Sequence, residues 1–286
     1  MPIADNIPTF WRDPQLPFIE TRAVYGSRAC YDQHTHETFS IGAVLSGQAQ
    51  YWNQRKRDDT GRGCVVLINP DDVHACNPRA GSPWAYRMLF VERAWLAQLQ
   101  REIGLSRHQD LQMFSQVQSH ERVVYDDLNR LFERLWQPAA KLAKETALVD
   151  FLIRLHAQFD TVAFELKSNH RLSRAAEFIA AHCLDDLGLA EICQAAQLSR
   201  SYLIRAFRQQ YGMTPHAFLL NQRIHHAQAL LKRGQAIADV AFDCGFADQA
   251  HFQRVFKRHV AATPGQYSFR TYAKLFQLGV PPKTVL

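Results

Sequence analysis

A helix-turn-helix pattern is written twice in the C-terminal part of this 286-residue chain, and a repeat of that kind admits few architectures other than an all-α unit. The second copy reads AIADVAFDCGFADQAHFQRVFKRHVAATPGQY from Ala236 to Tyr267. Ile237, Val240 and Ala241 share one face at helical spacing, and Gly245 is free to take the left-handed backbone that a tight turn needs. Asp248 is placed to accept from the orphan amides of the next helix. Within that helix Phe252, Val255 and Phe256 form an apolar wedge. Ala250, Arg254 and Lys257 point the other way, flanked by Gln249 and Gln253. A helix that anchors, a turn that sets the angle and a helix that presents Arg and Gln outward read as a DNA-reading unit.

The first copy, LAEICQAAQLSRSYLIRAFRQQYGMTPHAF, repeats this division of labour. Leu198 falls under Phe246, Leu203 under Phe252, Arg205 under Arg254, Phe207 under Phe256 and Thr214-Pro215 under Thr263-Pro264, with an offset of 48 before the turn and 49 after it. Leu203, Ala206 and Phe207 make the inner wedge, Ser201, Arg205 and Arg208 lie opposite, and Ser199 is placed as the cap. Between the copies, PHAFLLNQRIHHAQALLKRG predicts one helix with Pro215 at its first position and Gly234 at its end. A rod holding two readers at fixed separation suits grooves about 34 Å apart on one side of a duplex.

Charge follows the same division. From Leu166 onward 15 Lys and Arg face 7 Asp and Glu, a balance of +8, whereas the first 165 residues carry 18 against 20, a balance of −2. A polyanionic partner is therefore expected for the C-terminal part alone. Six cysteines without a C-x-x-C pairing are expected to be buried free thiols of a reducing cytosol. No apolar run reaches the length of a membrane span and the N-terminus lacks the pattern of a signal peptide, so a cytoplasmic protein with no membrane partner is expected.

Residues 1 to 20 are expected to form an irregular arm. From Thr21 to Val91, β-branched and aromatic runs alternate with turn residues, among them Gly47, Asp58, Asp59, Gly61, Gly63, Pro70, Asp71 and Asp72, which predicts a small sandwich or barrel. At Glu92 the period becomes helical. ERAWLAQLQREIG ends at Gly104, and two amphipathic helices follow around Pro138. Val124, Leu128, Leu131, Phe132 and Leu135 form the first apolar stripe, and Leu148, Phe151, Leu152 and Leu155 the second; the hairpin covers either the barrel or another subunit. The expected fold class is α+β. Its expected parts are a barrel over 1–110, a helical hairpin and dimer element over 111–162, a linker over 163–171, and an all-α unit over 172–286.

Over about 100 residues, from Leu172 to Tyr272, the chain resembles the AraC family of bacterial transcription regulators. Ile237, Ala238, Ala241, Gly245, Phe246, Asp248, His251, Phe252, Arg254, Phe256 and Lys257 match that family's signature. Ala261 and Ser268 depart from it, where a Gly and an Arg are usual. The resemblance implies a sequence-specific regulator, an activator, whose recognition helices enter successive major-groove segments. Arg200, Ser201 and Arg205 in the first reader and Gln249, Gln253 and Arg254 in the second are the base-edge candidates. Arg208, Arg223, Arg233, Lys257 and Arg258 are the phosphate candidates.

QHTHE at His34 and His36, Gly47, and INPDDVH ending at His74 resemble the two motifs of cupin barrels. The carboxylate of metal-binding cupins is missing, since Ser40 or Ile41 stands in its place, so His34, His36 and His74 are expected to be polar anchors for a small effector rather than metal ligands, and no cofactor is expected. The expected partners are double-stranded DNA, that effector, a second copy of the chain and RNA polymerase. The alternative is a metal-dependent cupin enzyme with an appended helical domain.

Overall fold

The computed structural model describes residues 7–54, 56–79, 82–106, 111–163 and 169–268. Residues 164–168 of the expected linker and all residues after Ser268 lie outside the described residues. The chain runs β1 (Thr9–Trp11), β2 (Ile19–Ser27), β3 (Phe39–Ser46), β4 (Gln48–Asn53), β5 (Lys56–Gly61), β6 (Val65–Ile68), β7 (His74–Pro78), β8 (Trp84–Val91), α1 (Arg93–Glu102), β9 (Gln112–Phe114), β10 (Gln118–Ser119), α2 (Arg122–Trp136), α3 (Lys141–Gln158) and β11 (Thr161–Ala163). It continues through α4 (His170–Ala181), α5 (Leu189–Ala196), α6 (Arg200–Tyr211), α7 (Pro215–Lys232), α8 (Ile237–Asp243), α9 (Gln249–Val260) and α10 (Pro264–Tyr267).

The strands form an antiparallel sheet in the order β1-β2-β8-β3-β6-β10 facing a smaller one in the order β5-β4-β7, with β9 and β11 paired apart. Period-two alternation gives the large sheet two apolar faces. Ile41, Leu67, Leu89 and Val91 point outward into one core with the stripes of α2 and α3, where Leu128, Leu131, Phe132, Leu148, Phe151 and Leu152 are buried. The hairpin stripes therefore cover the barrel of their own chain. The alternate residues Val44, Val66, Ile68 and Met88 point inward and line a cavity.

Three details depart from the sequence reading. The N-terminal arm is not wholly irregular, since β1 pairs with β2 through Thr9↔Ala23 and Trp11↔Thr21. Asp58 and Asp59 are not turn residues; they sit in β5 opposite Tyr51 and Gln50. Charged side chains on that edge strand discourage further strand pairing. The segment from 111 to 162 also contains β9, β10 and part of β11 besides its two helices.

The helical half has two cores that share α7. Leu219 joins Leu172, Ile179, Ile192, Leu203 and Phe207 in the first. Ile224, Ala227 and Leu231 join Val240, Phe252 and Phe256 in the second. The Asp248 carboxylate accepts from the His251 amide at 2.6 Å, and Gly245 takes φ +70° in the turn before it. Ser199 is the N-cap residue of α6 as expected, but its side chain makes no capping bond. Ala261 closes α9 in the left-handed region at φ 48°, a conformation Gly adopts without steric cost. Ala261→Gly should therefore raise the unfolding free energy by up to about 1 kcal/mol, read from the urea midpoint at constant slope.

The halves are docked on one another. Phe10 of β1 enters the second helical core, with its ring edge-on to Tyr267 at 5.2 Å. Arg12 donates to the Tyr267 carbonyl at 2.9 Å, and Arg22 to the Val260 carbonyl at 2.7 Å. Arg258 of α9 pairs with Asp32 at 2.8 Å, and Lys232 of α7 with Glu20 at 2.9 Å.

Candidate nucleic-acid face and interdomain cavity

Ten of the eleven side chains expected to contact DNA are exposed, among them Arg200, Ser201, Arg205 and Arg208 on α6, and Gln249, Gln253, Arg254 and Lys257 on α9; Arg223 is half-buried. The buried residues of these helices, Leu203 and Phe207 in one and Phe252, Val255 and Phe256 in the other, fix which face turns outward. Two of the expected phosphate contacts are otherwise engaged. Arg223 donates to the carbonyls of Cys183, Gly245 and Asp185 at 2.7, 2.5 and 2.8 Å, so it staples the second turn to the end of α4. Arg258 is held by Asp32 of the barrel half. Tyr202 and Ile204, 39% and 42% exposed, flank the α6 cationic row and escaped the sequence reading because apolar residues are normally assigned to the core.

The inner face of the barrel and the helical half together enclose a cavity of about 670 Å³. Its wall includes Arg12, Glu20 and Arg22 from the barrel half and Asn221, His225 and Lys232 from α7. Burial alone would raise the Glu20 carboxyl, but Lys232 and Arg12 beside it hold it down at about 2. Among the other acidic wall residues, Asp13 is bound to Lys144, and Glu37 and Glu92 are exposed. The enclosed charge is thus one carboxylate, Glu20, against Arg12 and Arg22, with the exposed Lys232 reaching Glu20 from the rim.

Arg22 is 5% exposed and forms no ion pair among the described residues. Its guanidinium rests on the carbonyls of Val260 and Ala261 at 2.7 and 3.4 Å, the partly negative C-terminal end of α9. Arg22 Nε, Arg12 Nη2, Trp84 Nε1 and His225 Nδ1 are buried without a hydrogen-bond partner, and all four residues line the cavity. Native interiors seldom leave such groups unpaired, and four of the seven such atoms among the described residues belong to residues of the cavity wall.

The structure brings the three expected histidines together. The rings of His34 and His74 are 4.4 Å apart, those of His36 and His74 4.7 Å, and those of His34 and His36 6.3 Å. Among the described residues no group of three or more His, Cys, Asp and Glu is arranged to hold a metal ion. Between two of the histidines lies Thr35, gripped from α7. Its amide donates to Asn221 Oδ1 at 3.1 Å, its hydroxyl accepts from Asn221 Nδ2 at 2.7 Å, and its carbonyl is 2.7 Å from His225 Nε2. The sequence reading missed Arg12, Arg22, Asn221, His225 and Lys232. The one local signal was Arg22 itself, a cation set directly before the apolar run Ala23-Val24-Tyr25 of β2. All six cysteines are free, but only Cys64 and Cys244 are buried; Cys76, Cys183 and Cys193 are half-buried and Cys30 is exposed.

An antiparallel barrel enclosing a ligand-sized cavity, docked on a pair of helix-turn-helix units that share one rod, defines a ligand-responsive transcription regulator. Residues 22–152 match the AraC-like ligand binding domain and residues 192–270 the helix-turn-helix domain family. The chain is 30% identical over 247 residues to the uncharacterized HTH-type transcriptional regulator YbfI of Bacillus subtilis (strain 168), spanning 85% of this chain and 88% of that one. It belongs to the AraC family of transcription regulators. It is also 30% identical over 268 residues to the transcriptional activator RhaR of Escherichia coli O139:H28, spanning 83% of this chain and 86% of that one. Among solved structures, ToxT from Vibrio cholerae strain SCE256 bound to an unsaturated fatty acid shares the fold, with a TM-score of 0.57 at 15% identity over 96% of this chain and 98% of that one. No helix among the described residues is long and apolar enough to cross a membrane.

Proposed function

We propose that this regulator is switched by a small organic acid held in the cavity between its halves, and that it activates transcription as a homodimer in the cytoplasm, with RNA polymerase downstream and no catalysis of its own. The observation that carries this reading is Arg22, an enclosed cation with an unused donor and no carboxylate partner. A buried cation of this kind is costly until an anion meets it. An acid arriving at Arg22 competes with the end of α9 for the same guanidinium, so occupancy is felt by the second reader. The fatty acid in ToxT and the activator name of RhaR support the ligand class and the direction of control. Ser40 stands where a metal-binding enzyme would need a carboxylate, which supports binding alone.

The test compares hexanoate with hexanamide by calorimetry. The acid should bind at least about tenfold more tightly, and Arg22→Met should erase that preference. Equal binding of acid and amide by the unaltered protein would refute the acid reading.

On the DNA side, Arg200, Ser201, Arg205, Gln249, Gln253 and Arg254 read base edges, while Arg208 and Lys257 hold phosphates. Ile204 occupies in α6 the register that Gln253 occupies in α9, which suits a thymine methyl in one half-site and an adenine in the other. Arg254→Ala should cost about 1–3 kcal/mol on a selected operator and far less on random duplex, measured by fluorescence anisotropy. Equal losses on both would reassign Arg254 to the backbone. Val123, Leu142 and Ile153, exposed on the outer side of α2 and α3, support the hairpin as the dimer contact. Leu142→Asp should shift the sedimentation mass toward the monomer.

A further inference from the structure

The geometry points to a second requirement on the effector: besides its acid it carries a hydroxyl group, received by the imidazoles of His34, His36 and His74. This rests on the acid reading of the same cavity and deepens it. Each of the three rings places Nδ1 against a backbone carbonyl two residues away: His34 on Asp32 at 2.8 Å, His36 on Thr38 at 3.0 Å and His74 on Asp72 at 2.9 Å. A carbonyl only accepts, so Nδ1 carries the proton and each neutral ring turns a lone pair outward at Nε2.

Burial holds all three neutral. It depresses His34 to about 3, where His36 adds to the effect, and His36 to about 4, and with those two neighbours it holds His74 well below the ordinary value. Acceptors cannot satisfy one another. Among the described residues the Nε2 atoms of His34 and His74 have no hydrogen-bond partner, and that of His36 meets only Ser40 Oγ at 3.3 Å. A wall of this kind favours a guest that brings donors. An ammonium group would bring them too, but the cavity already encloses the Arg12 and Arg22 cations against one carboxylate, so a neutral hydroxyl fits better.

The acid-binding and hydroxyl-binding ends are one ring apart. The Arg22 guanidinium lies 5.7 Å from the centre of the Tyr31 ring, and the His34 ring stacks on Tyr31 at 5.5 Å. A short hydroxy acid therefore spans them, whereas a plain fatty acid leaves the imidazoles unpaired.

The experiment uses the full chain and calorimetry with hexanoate, 6-hydroxyhexanoate and 6-aminohexanoate, and with 3-phenylpropionate and 3-(4-hydroxyphenyl)propionate. At least one hydroxylated acid should bind about tenfold more tightly than its parent, because a site built around polar partners discriminates against a guest that leaves them unmet. His74→Asn keeps a donor where Nδ1 stood and deletes the Nε2 acceptor; it should bring that pair within about twofold. His74→Gln, whose amide oxygen can stand where Nε2 stood, should restore the preference. Equal affinities within both pairs, a preference that survives His74→Asn, tighter binding of 6-aminohexanoate, or stoichiometric zinc, iron, manganese or nickel in the purified protein would each overturn the hydroxyl assignment. If the acids bind and the hydroxyl makes no difference, only this inference falls. If no acid binds at about 10 mM, the acid reading falls and takes this one with it.

Discussion

Glu20→Gln should destabilise the docked chain by about 3–5 kcal/mol, because it removes the one enclosed carboxylate and leaves Arg12 and Lys232 without their counter-charge. Arg12 and Glu20 are each 11% exposed in their side chains, so water cannot take over the lost role at Arg12, whereas the Lys232 side chain is 46% exposed and partly hydrated. The effect extends beyond the barrel, since Arg12 also holds the Tyr267 carbonyl and Lys232 belongs to α7. Urea unfolding should therefore change from one transition to two, with the helical half releasing separately from the barrel. Adding Lys232→Met to Glu20→Gln should return part of the loss, since one unbalanced cation goes with it. A change below about 1 kcal/mol in the single variant would show that the pair is no more than a surface contact.

Acidification should produce the second large effect. An imidazole titrates near 6.5 in an unfolded chain, whereas burial keeps His34 neutral to about 3 and His36 neutral to about 4, with His74 also depressed. The folded pKa lies below the unfolded one, so the stabilising contribution is fully present above about pH 6.5. It is lost as the pH falls toward the folded values, because only the unfolded chain takes up the protons. Between pH 7 and pH 5 His34 and His36 should each withdraw about 2 kcal/mol, and His74 should add to the loss in the same direction. His74→Asn should flatten the slope over that interval. A stability profile that stays level from pH 7 to pH 5 would mean the rings take up protons in the folded protein as readily as in the unfolded chain.

What could be read in advance was what the chain encodes locally. The wedge of Phe252, Val255 and Phe256, the Gly245 turn and the Asp248 cap are fixed by residues within one or two turns of each other, so periodicity and capping rules were enough. His34, His36 and His74 were also legible, because His34 and His36 sit in one tripeptide and His74 ends a strand-and-turn motif. The acid-binding end was not. Lys232 looks like an ordinary basic residue at the end of a helix, and Arg12 like part of a proline-rich arm. Only docking sets them around a carboxylate at position 20, with more than two hundred residues between the two cations. Arg223 and Arg258 illustrate the opposite error. Helical spacing turns both toward solvent, but a neighbouring helix end and an aspartate of the other half claim them first. Three-residue strands such as β1 carry too short an alternation to be recognised without the partner strand.

The grip of Asn221 and His225 on Thr35 bears on how such proteins can be recombined. A chimera cut in the linker exchanges one sensor for another along the backbone, yet it parts the loop between two cavity histidines from the helix that spaces the readers. The unit that must travel together is therefore non-contiguous, a barrel plus one face of α7. Grafts that keep positions 221 and 225 matched to the incoming loop should respond to their new inducer, and grafts that respect only the backbone boundary should bind it in silence.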